Sequence, residues 1–566
     1  MSLISTLNIG RNALAVQQAA IQVTGNNIAN SGNADYTRQT ANVTPGQEYR
    51  NSQGFLIGSG INLDSITRNI DQALEQRLRA SVSDASSSDV TQQWLSRLES
   101  VYNELGDNDL SSKLGKFFTG WSNLANSPQD AGKRQVVVQN GQAVASWITD
   151  VRTQIGNLKS DVNDQLKSQT LSADKLAQQV ADLNGQIAKA EGGGGGTANG
   201  LRDQRDSVLK QLSKLVNIHT VEDGFNTNVY VGSAPLVLAN TNRGLQLSQD
   251  TDASGELTTT VTFKANGAPI DSTSGALSAL SKSRDDISAY ADELDDIAGK
   301  LINEVNKIHA AGQGLEGFSS VTSTTQVTDP TAALNSKEAG LDFKVSNGSF
   351  VVHVKDKATG SITSTLINID ADGLNNDDTT LDALKSQLDG IGNVSASVVG
   401  GKLKISADSS AVDVSFSQDS SGTLASLGIN TFFKGRNALT IGVNDAIANN
   451  VNLLSAAKNG QPADNQTALA IAALATQKLS SLNGSTISDA YTNMVGRVGL
   501  SAQDAGTSAE ASKTVMETLD AQRQSLSGVS LDEESVNLIK QQRAFQGASR
   551  LISAVDEMMQ TILRLV

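Results

Sequence analysis

LDEESVNLIKQQRAFQGASRLISAVDEMMQTILRLV, residues 531–566, is the stretch whose reading decides the architecture. Leu538, Phe545, Ile552, Met559 and Val566 recur at every seventh position, and Gln541, Ala548, Val555 and Ile562 follow three places later. A seven-residue step held this long lays a narrow apolar seam along one side of a helix, suited to packing on another helix. Ser530 with Glu533 three residues on reads as a capping box. Asp532, Glu533 and Glu534 complement the positive end of the helix dipole. Carried to Val566, the helix would be about 54 Å long at 1.5 Å per residue. Such a seam needs a partner.

The other end of the chain offers one. Between Leu3 and Ile28, Leu7, Leu14, Ile21 and Ile28 keep the same step. Ile9, Val16 and Val23 keep it two residues out of phase, about 200° round a helix. One seam can take the C-terminal helix of the same chain; the second is left for a neighbour. A helix buried in an ordinary core is the plain alternative, but the position of both helices at the extreme termini favours helices shared between subunits of an assembly.

Composition narrows the function. A net charge of -15, from 44 basic and 59 acidic residues, argues against a phosphate-backbone binder, and no Lys/Arg cluster reverses this. There are no cysteines, so disulfides and thiolate metal sites are excluded. No run of about 18 apolar residues predicts a membrane span. The first 30 residues lack the pattern of a cleaved signal peptide, so none is expected.

Along the chain, the first helix closes in the Asn- and Gly-rich segment Thr24 to Asn33. Val43-Thr44-Pro45 and Gly58-Ser59-Gly60-Ile61 read as strand and turn, and helical periodicity returns around Ile66, continuing through Trp94, Leu98, Val101 and Leu105. Ser146 to Ala190 reads as a long rod-like helix. The five glycines from Gly192 to Gly196 lack the Lys-Ser/Thr that closes a phosphate loop and read as a flexible connection to a helix through Leu201, Val208, Leu212 and Leu215. Strand-like segments follow from Thr227 to Leu247 and from Leu257 to Phe263, then a helix from Leu277 to Ala310. From Gly312 to Gly442 the pattern is strand and turn, including Asp342 to Val345, with Leu381 to Leu388 as one short helix. Helices resume after Asn465, and Ser527-Gly528 breaks the last long one before the terminal helix. The expected fold is multidomain α+β, nested in three layers. A paired, coiled-coil-like terminal domain (1–34 with 530–566) encloses a helix-rich rod domain with some strands (35–311 with 443–529). An inserted β-rich outer domain (312–442) lies within that.

Catalytic chemistry is missing. His219, His309 and His353 are isolated, with no ligand spacing such as H-E-x-x-H. The acidic turn from Asp370 to Asp378 lacks the glycine at the sixth place of a calcium loop and carries Leu381 where its glutamate belongs. No nucleophile elbow, dinucleotide fingerprint or kinase set is present. No catalytic, cofactor or metal residue is assigned, and the chain is expected to be non-enzymatic.

The residues do carry a resemblance. Thr24-Gly25-Asn26-Asn27-Ile28-Ala29-Asn30, followed by Tyr36-Thr37-Arg38-Gln39, is similar to the N-terminal signature of bacterial flagellar rod, hook and hook-associated proteins, with Asn26, Asn27, Asn30, Tyr36 and Arg38 as its motif positions. Asp35 stands where that family commonly has glycine. Ser527 to Glu534, with Asn537-Leu538-Ile539, Gln542 to Phe545 and Ile552 to Met559, resembles the first, FlgK type of hook-associated protein. Asn368 to Ile405 resembles a β-α-β motif of flagellar axial proteins.

The resemblance implies a junction protein between hook and filament, whose terminal helices form an inner tube and whose inserted domains face outward. It implies a homo-oligomeric ring or helical layer, with the hook protein and the second hook-associated protein as neighbours. It also implies passage through the flagellar type III exporter, a cytosolic chaperone on the C-terminal helix, and an extracellular place on the flagellum. No nucleic acid, membrane insertion or cofactor is implied. Alternatives are the hook subunit or the second junction protein and, more remotely, an exported cell-wall hydrolase using an acidic pair.

Overall fold

The computed structural model describes residues 3–50, 54–102, 109–194, 196–251, 257–375, 377–461 and 463–565. Its helices are α1 (Leu3–Ala29), α2 (Gln72–Tyr102), α3 (Leu110–Ala125), α4 (Ala131–Glu191), α5 (Asn199–Leu215) and α6 (Ala276–Ala310). They continue with α7 (Leu381–Asp389), α8 (Thr423–Leu427), α9 (Asp445–Asn449), α10 (Gln466–Ala473), α11 (Ile487–Ser527) and α12 (Leu531–Leu565). The chain divides into two compact units, Met1–Trp94, Val162–Arg284 and Gln503–Val566 forming the first, Leu95–Asp161 and Asp285–Ala502 the second. The division falls inside α2, α4, α6 and α11.

In the first unit, α1 packs on α12 and on an antiparallel pair, β1 (Gln39–Pro45) and β4 (Ile61–Arg68), between which a smaller hairpin is formed by β2 (Glu48–Arg50) and β3 (Leu56–Gly58). Ile66, expected to open a helix, lies in β4 opposite Ala41. The helix starts later because Asp71 caps it, its carboxylate accepting from the Ala73 and Leu74 amides at 2.9 and 3.1 Å. Leu78, Val82 and Leu519 form a buried cluster where α2 meets α11. After α5, β5 (His219–Asp223), β6 (Asn226–Val231), β7 (Ala234–Leu238) and β8 (Thr241–Asn242) form a meander, and β9 (Leu245–Thr251) pairs with β10 (Leu257–Phe263). Along β6, Thr227, Val229 and Val231 turn inward, the period of two expected of a half-buried strand.

The glycine connection joins α4 to α5 as expected, but its two ends are tied. The Glu191 carboxylate accepts from the Ala198 amide and pairs with Arg202, each at 2.8 Å. Gly195, and Leu105 in the expected helical stretch after Ile66, lie outside the described residues.

In the second unit, Phe117 and Trp121 of α3 meet Phe432 and Phe433 in an aromatic core. β13 (Ile362–Ile369), β12 (Gly348–Asp356) and β16 (Val412–Ser417) form one sheet; β11 (Ser320–Thr322), β15 (Lys402–Ala407) and β14 (Val394–Val399) form another. Thus β13, α7 and β14 follow in β-α-β order but join two sheets rather than crossing over within one. Asp342 to Val345 is not a strand: Val345 is fully buried, yet the next amide, Ser346, bonds a loop carbonyl at Ser421 instead of a ladder. The inserted segment also holds a second short helix, α8, buried on every side.

Candidate assembly site at the joined termini

Helices α1 and α12 run antiparallel. Thr24 Oγ1 donates to Gln541 Oε1 at 3.0 Å, Asn27 meets Glu534, and nearer the other end Gly10 faces Ile552. Of the two expected α1 seams, Ile9–Val16–Val23 is the inner one. Val16 and Val23 are buried and Ile9 is half-buried, with Gly10, Ala20 and Asn27 closing the same face. The other seam, Leu7, Leu14, Ile21 and Ile28, is half-buried along its length. On α12, Val555 is fully buried, whereas Leu538, Phe545, Ile552 and Met559 are half-buried and Ile562 is 49% exposed. Val566 lies outside the described residues. Val536, Ile539, Met558 and Leu563 are exposed on the same helix. The strand-and-turn reading at Val43 to Pro45 and Gly58 to Ile61 marked parts of β1 and β4, but nothing in the periodicity showed that the pair forms a second cover for α1.

The motif residues converge on one amide. Asn27 is 1% exposed, and all four of its hydrogen-bonding positions are used. Its Nδ2 donates to Gln39 O at 2.9 Å and Glu534 Oε2 at 3.0 Å. Its Oδ1 accepts from the Tyr36 hydroxyl at 2.8 Å and the Gln39 amide at 3.0 Å. One side chain therefore ties α1, the connection after it, β1 and α12. Only an amide has two donors and two acceptors in that fork, so the signature asparagine is a junction and not a helix stop. Asn30 is the local stop: its Nδ2 donates to Asn26 O at 2.9 Å and Asn26 Oδ1 at 3.0 Å.

Arg38 completes the junction. Its guanidinium lies 2.7 Å from Glu534 Oε1 and 2.8 Å from Glu533 Oε2, and its amide donates to Ser527 O at 2.9 Å, where α11 ends. Glu533 is thus drawn to Arg38, leaving only half of the expected capping box: the Ser530 hydroxyl accepts from the Glu533 amide at 3.4 Å. Gly528 permits the break between α11 and α12, since a Cβ there would sit 2.3 Å from Gln524 O. Burial and the carboxylates of Asp203 and Glu534 push the Tyr36 phenol up to about 12, which keeps it the proton donor to Asn27. Asp35 is not among the residues of positive φ, so its position does not require glycine; its carboxylate accepts from Ser207 Oγ at 2.8 Å.

The histidines take structural places. His219 is exposed on β5, and His353 sits between Ser364 and Ser417 at 2.7 Å each. His309 is fully buried, bonded through Nδ1 to Asn430 O at 2.8 Å and through Nε2 to the Ser455 amide at 2.9 Å. Among the described residues, Asp370, Asp372 and Asp378 form the one acidic group close enough to share a cation. Their carboxylates accept from the Asp372, Leu374 and Gly373 amides, the bonding of a self-capped turn. No described helix is long and apolar enough to cross a membrane.

Comparison with known proteins adds the following. The family model "Flagellar hook-associated protein FlgK helical domain" matches residues 95–322, and "Flagellar basal body rod FlgEFG protein C-terminal" matches 521–565. Flagellar hook-associated protein 1 of Bacillus subtilis is 26% identical over 98% of this chain and 97% of its own length. The proteins of that name in Salmonella typhimurium and Escherichia coli are 25% and 22% identical over 99% of this chain and all of theirs. The solved flagellar hook junction protein FlgK from Burkholderia pseudomallei shares the fold with a TM-score of 0.50, at 17% identity, over 80% of this chain and all of that one.

Proposed function

We propose that this chain, which belongs to the flagellar hook-associated proteins of the first, FlgK type, is a structural adaptor that assembles at the distal end of the hook and joins it to the filament through α1 and α12. The observation that carries the reading is the unequal burial of the terminal helices. Asn27, Arg38 and Glu534 lock them together, yet Leu7, Leu14, Ile21, Ile28, Leu538, Phe545, Ile552 and Met559 stay only half-buried in one chain. Full burial of such side chains is worth roughly 1.5–3 kcal/mol each, so neighbouring copies have much left to gain.

The same half-open helix accounts for the finer readings. A chaperone in the cytosol would cover α12 before export, and the type III exporter would pass the chain outward. The hook protein and the second hook-associated protein would flank the assembled layer on the flagellum outside the cell. The segments 1–34 with 530–566 would form its inner layer, 35–311 with 443–529 its rod, and 312–442 its outer domain. The role is structural, without catalysis.

The test adds purified chain to isolated hooks, with a 1–530 truncation alongside, and views the ends by electron microscopy. A short, length-limited cap from the full chain and none from the truncation is the expected result. Long tubes would indicate a self-polymerising subunit, and bare hook ends would refute the adaptor.

A further inference from the structure

A polar cleft of about 970 Å³ opens beside the Asn27 junction, lined by Asn30 and Asp35 after α1, Asp182 and Gln186 of α4, and Asn199 and Gln204 of α5. Amides and carboxylates dominate its wall, and no lysine or arginine is among the described lining residues. Two of its carboxylates lack a cation. Asp35 accepts from Ser207 Oγ at 2.8 Å and Asp182 from Gln178 Nε2 at 2.9 Å, and among the described residues neither has an ion pair. Both are exposed.

The complementary charge lies on α12. Residues 535–554 contain Lys540, Arg543 and Arg550 and no acid, within a chain of net charge -15. All three are exposed, and none has an ion-pair partner among the described residues. Arg543 and Arg550 are seven positions apart, about two turns, on the side of α12 turned away from the buried Glu534, Ala548 and Val555. Val536 and Ile539, 51% and 52% exposed, lie on the same stripe. An exposed stripe that is both apolar and unpaired-cationic fits a surface that is covered on assembly.

We infer that Arg543 and Arg550 of one copy enter this cleft in a second copy, pairing with its Asp182 and Asp35 and taking Val536 and Ile539 out of water. The inference rests on the adaptor reading, in which copies of the chain sit side by side. A helix is 10–12 Å across with its side chains, too wide for a cleft of this volume, so α12 lies over the mouth and only its side chains enter. Guanidinium suits the site because its planar fork bonds carboxylate and amide oxygens together.

The chain has no cysteine, which makes the test direct. Full-length Asp182→Cys and Arg543→Cys chains are mixed, assembled on isolated hooks and treated with a short thiol-reactive cross-linker. A covalent dimer is expected from the mixed caps, and none from either variant alone or from unassembled chains. In parallel, Arg543→Glu should lower capping at fixed concentration about tenfold, and Asp182→Arg in the same chain should restore it. Caps that form normally yet give no cross-link, with a reversal that has no effect or is not rescued, would overturn the inference and leave the adaptor standing. Failure of the wild-type chain to cap hooks would overturn both.

Discussion

Asn27 and Glu534 stand 507 positions apart in the sequence and 3.0 Å apart in the fold, joined by a buried hydrogen bond. Glu534 is 2% exposed, and Asn27 serves one of its carboxylate oxygens and Arg38 the other. The two ends of the chain are therefore fastened by a polar joint, while the apolar seams beside it remain partly open.

The joint should fail at Asn27 first. Asn27→Ala leaves the Tyr36 hydroxyl, the Gln39 amide and one Glu534 oxygen without their partner. Each buried orphan costs about 1–3 kcal/mol, and because they share one site the sum should be roughly 3 kcal/mol. Hydrogen exchange should accelerate about a hundredfold across α1 and the first half of α12, with α3 unchanged. Unaltered protection of α12 would show that the joint contributes nothing.

Arg38→Lys separates charge from geometry. A lysine keeps the cation but cannot bridge Glu533 and Glu534, which the arginine meets at 2.8 and 2.7 Å. Arg38 is partly exposed, so the expected loss is modest, about 1 kcal/mol for lysine and about 2 kcal/mol for alanine. Urea titration of full-length chains, followed by limited proteolysis of the termini, ranks the variants. Equal midpoints for lysine and alanine would mean that the fork geometry is irrelevant.

Gly10 reports on how tightly α1 and α12 close. A Cβ there would fall 2.7 Å from Ile552 Cγ1 and 3.8 Å from the Ala548 carbonyl. Gly10→Val should destabilise the pair by about 1–3 kcal/mol despite valine's better helix propensity. Adding Ile552→Ala should recover at least half of that loss. A Gly10→Val chain as stable as wild type would place the helices further apart than described.

The periodicities show why some of this was legible and some was not. The seven-residue step of Leu538, Phe545 and Ile552 gave α12 and its need for a partner, since a helix seam is written in spacing alone. The Asn-Asn motif was visible as a string, but its physical role was not. Asn27 acts through groups at 36, 39 and 534, and the only local reading available was a helix stop. Ile66 misled because an apolar residue just before an amphipathic helix satisfies either period, and the cap at Asp71 decides the boundary. Val345 misled because burial without ladder bonds cannot be told from a strand by pattern. The cleft at Asp182 has no sequence signature, because it is assembled from four separated segments.

The second unit carries a pH dependence of its own. Burial lowers His309 from an ordinary value of 6.5 to about 4, and the nearby Arg134 charge adds to the effect. The Ser455 amide donates to Nε2 and so requires that nitrogen unprotonated, the bond to Asn430 O works against the shift, and Arg134, also buried, is bonded to the Pro128 and Leu454 carbonyls at 2.8 and 2.6 Å. The unfolded chain therefore takes up the proton first, so stability is complete above about pH 6.5 and is lost as pH falls toward 4. The loss should be on the order of 3 kcal/mol, read as a falling urea midpoint by tryptophan fluorescence. His309→Gln should flatten the profile in this window; an equally steep profile in that variant would assign the acid sensitivity elsewhere.

Phe545→Asp separates the folding of the chain from its assembly. Phe545 is half-buried on the α12 seam, and the second unit contains no residue of α12, so its core around Phe117, Trp121 and Phe432 should be untouched. A carboxylate on the seam must be desolvated whenever a neighbour covers it, at several kcal/mol unless it is paired. Near-ultraviolet circular dichroism of the full-length variant should therefore match wild type closely, while hook capping falls below detection at concentrations where wild type saturates the ends. Phe545→Leu, which keeps the apolar contact, should cap normally. Capping by Phe545→Asp at the wild-type level would remove the α12 seam from the mechanism and shift the junction to the rod or outer segments.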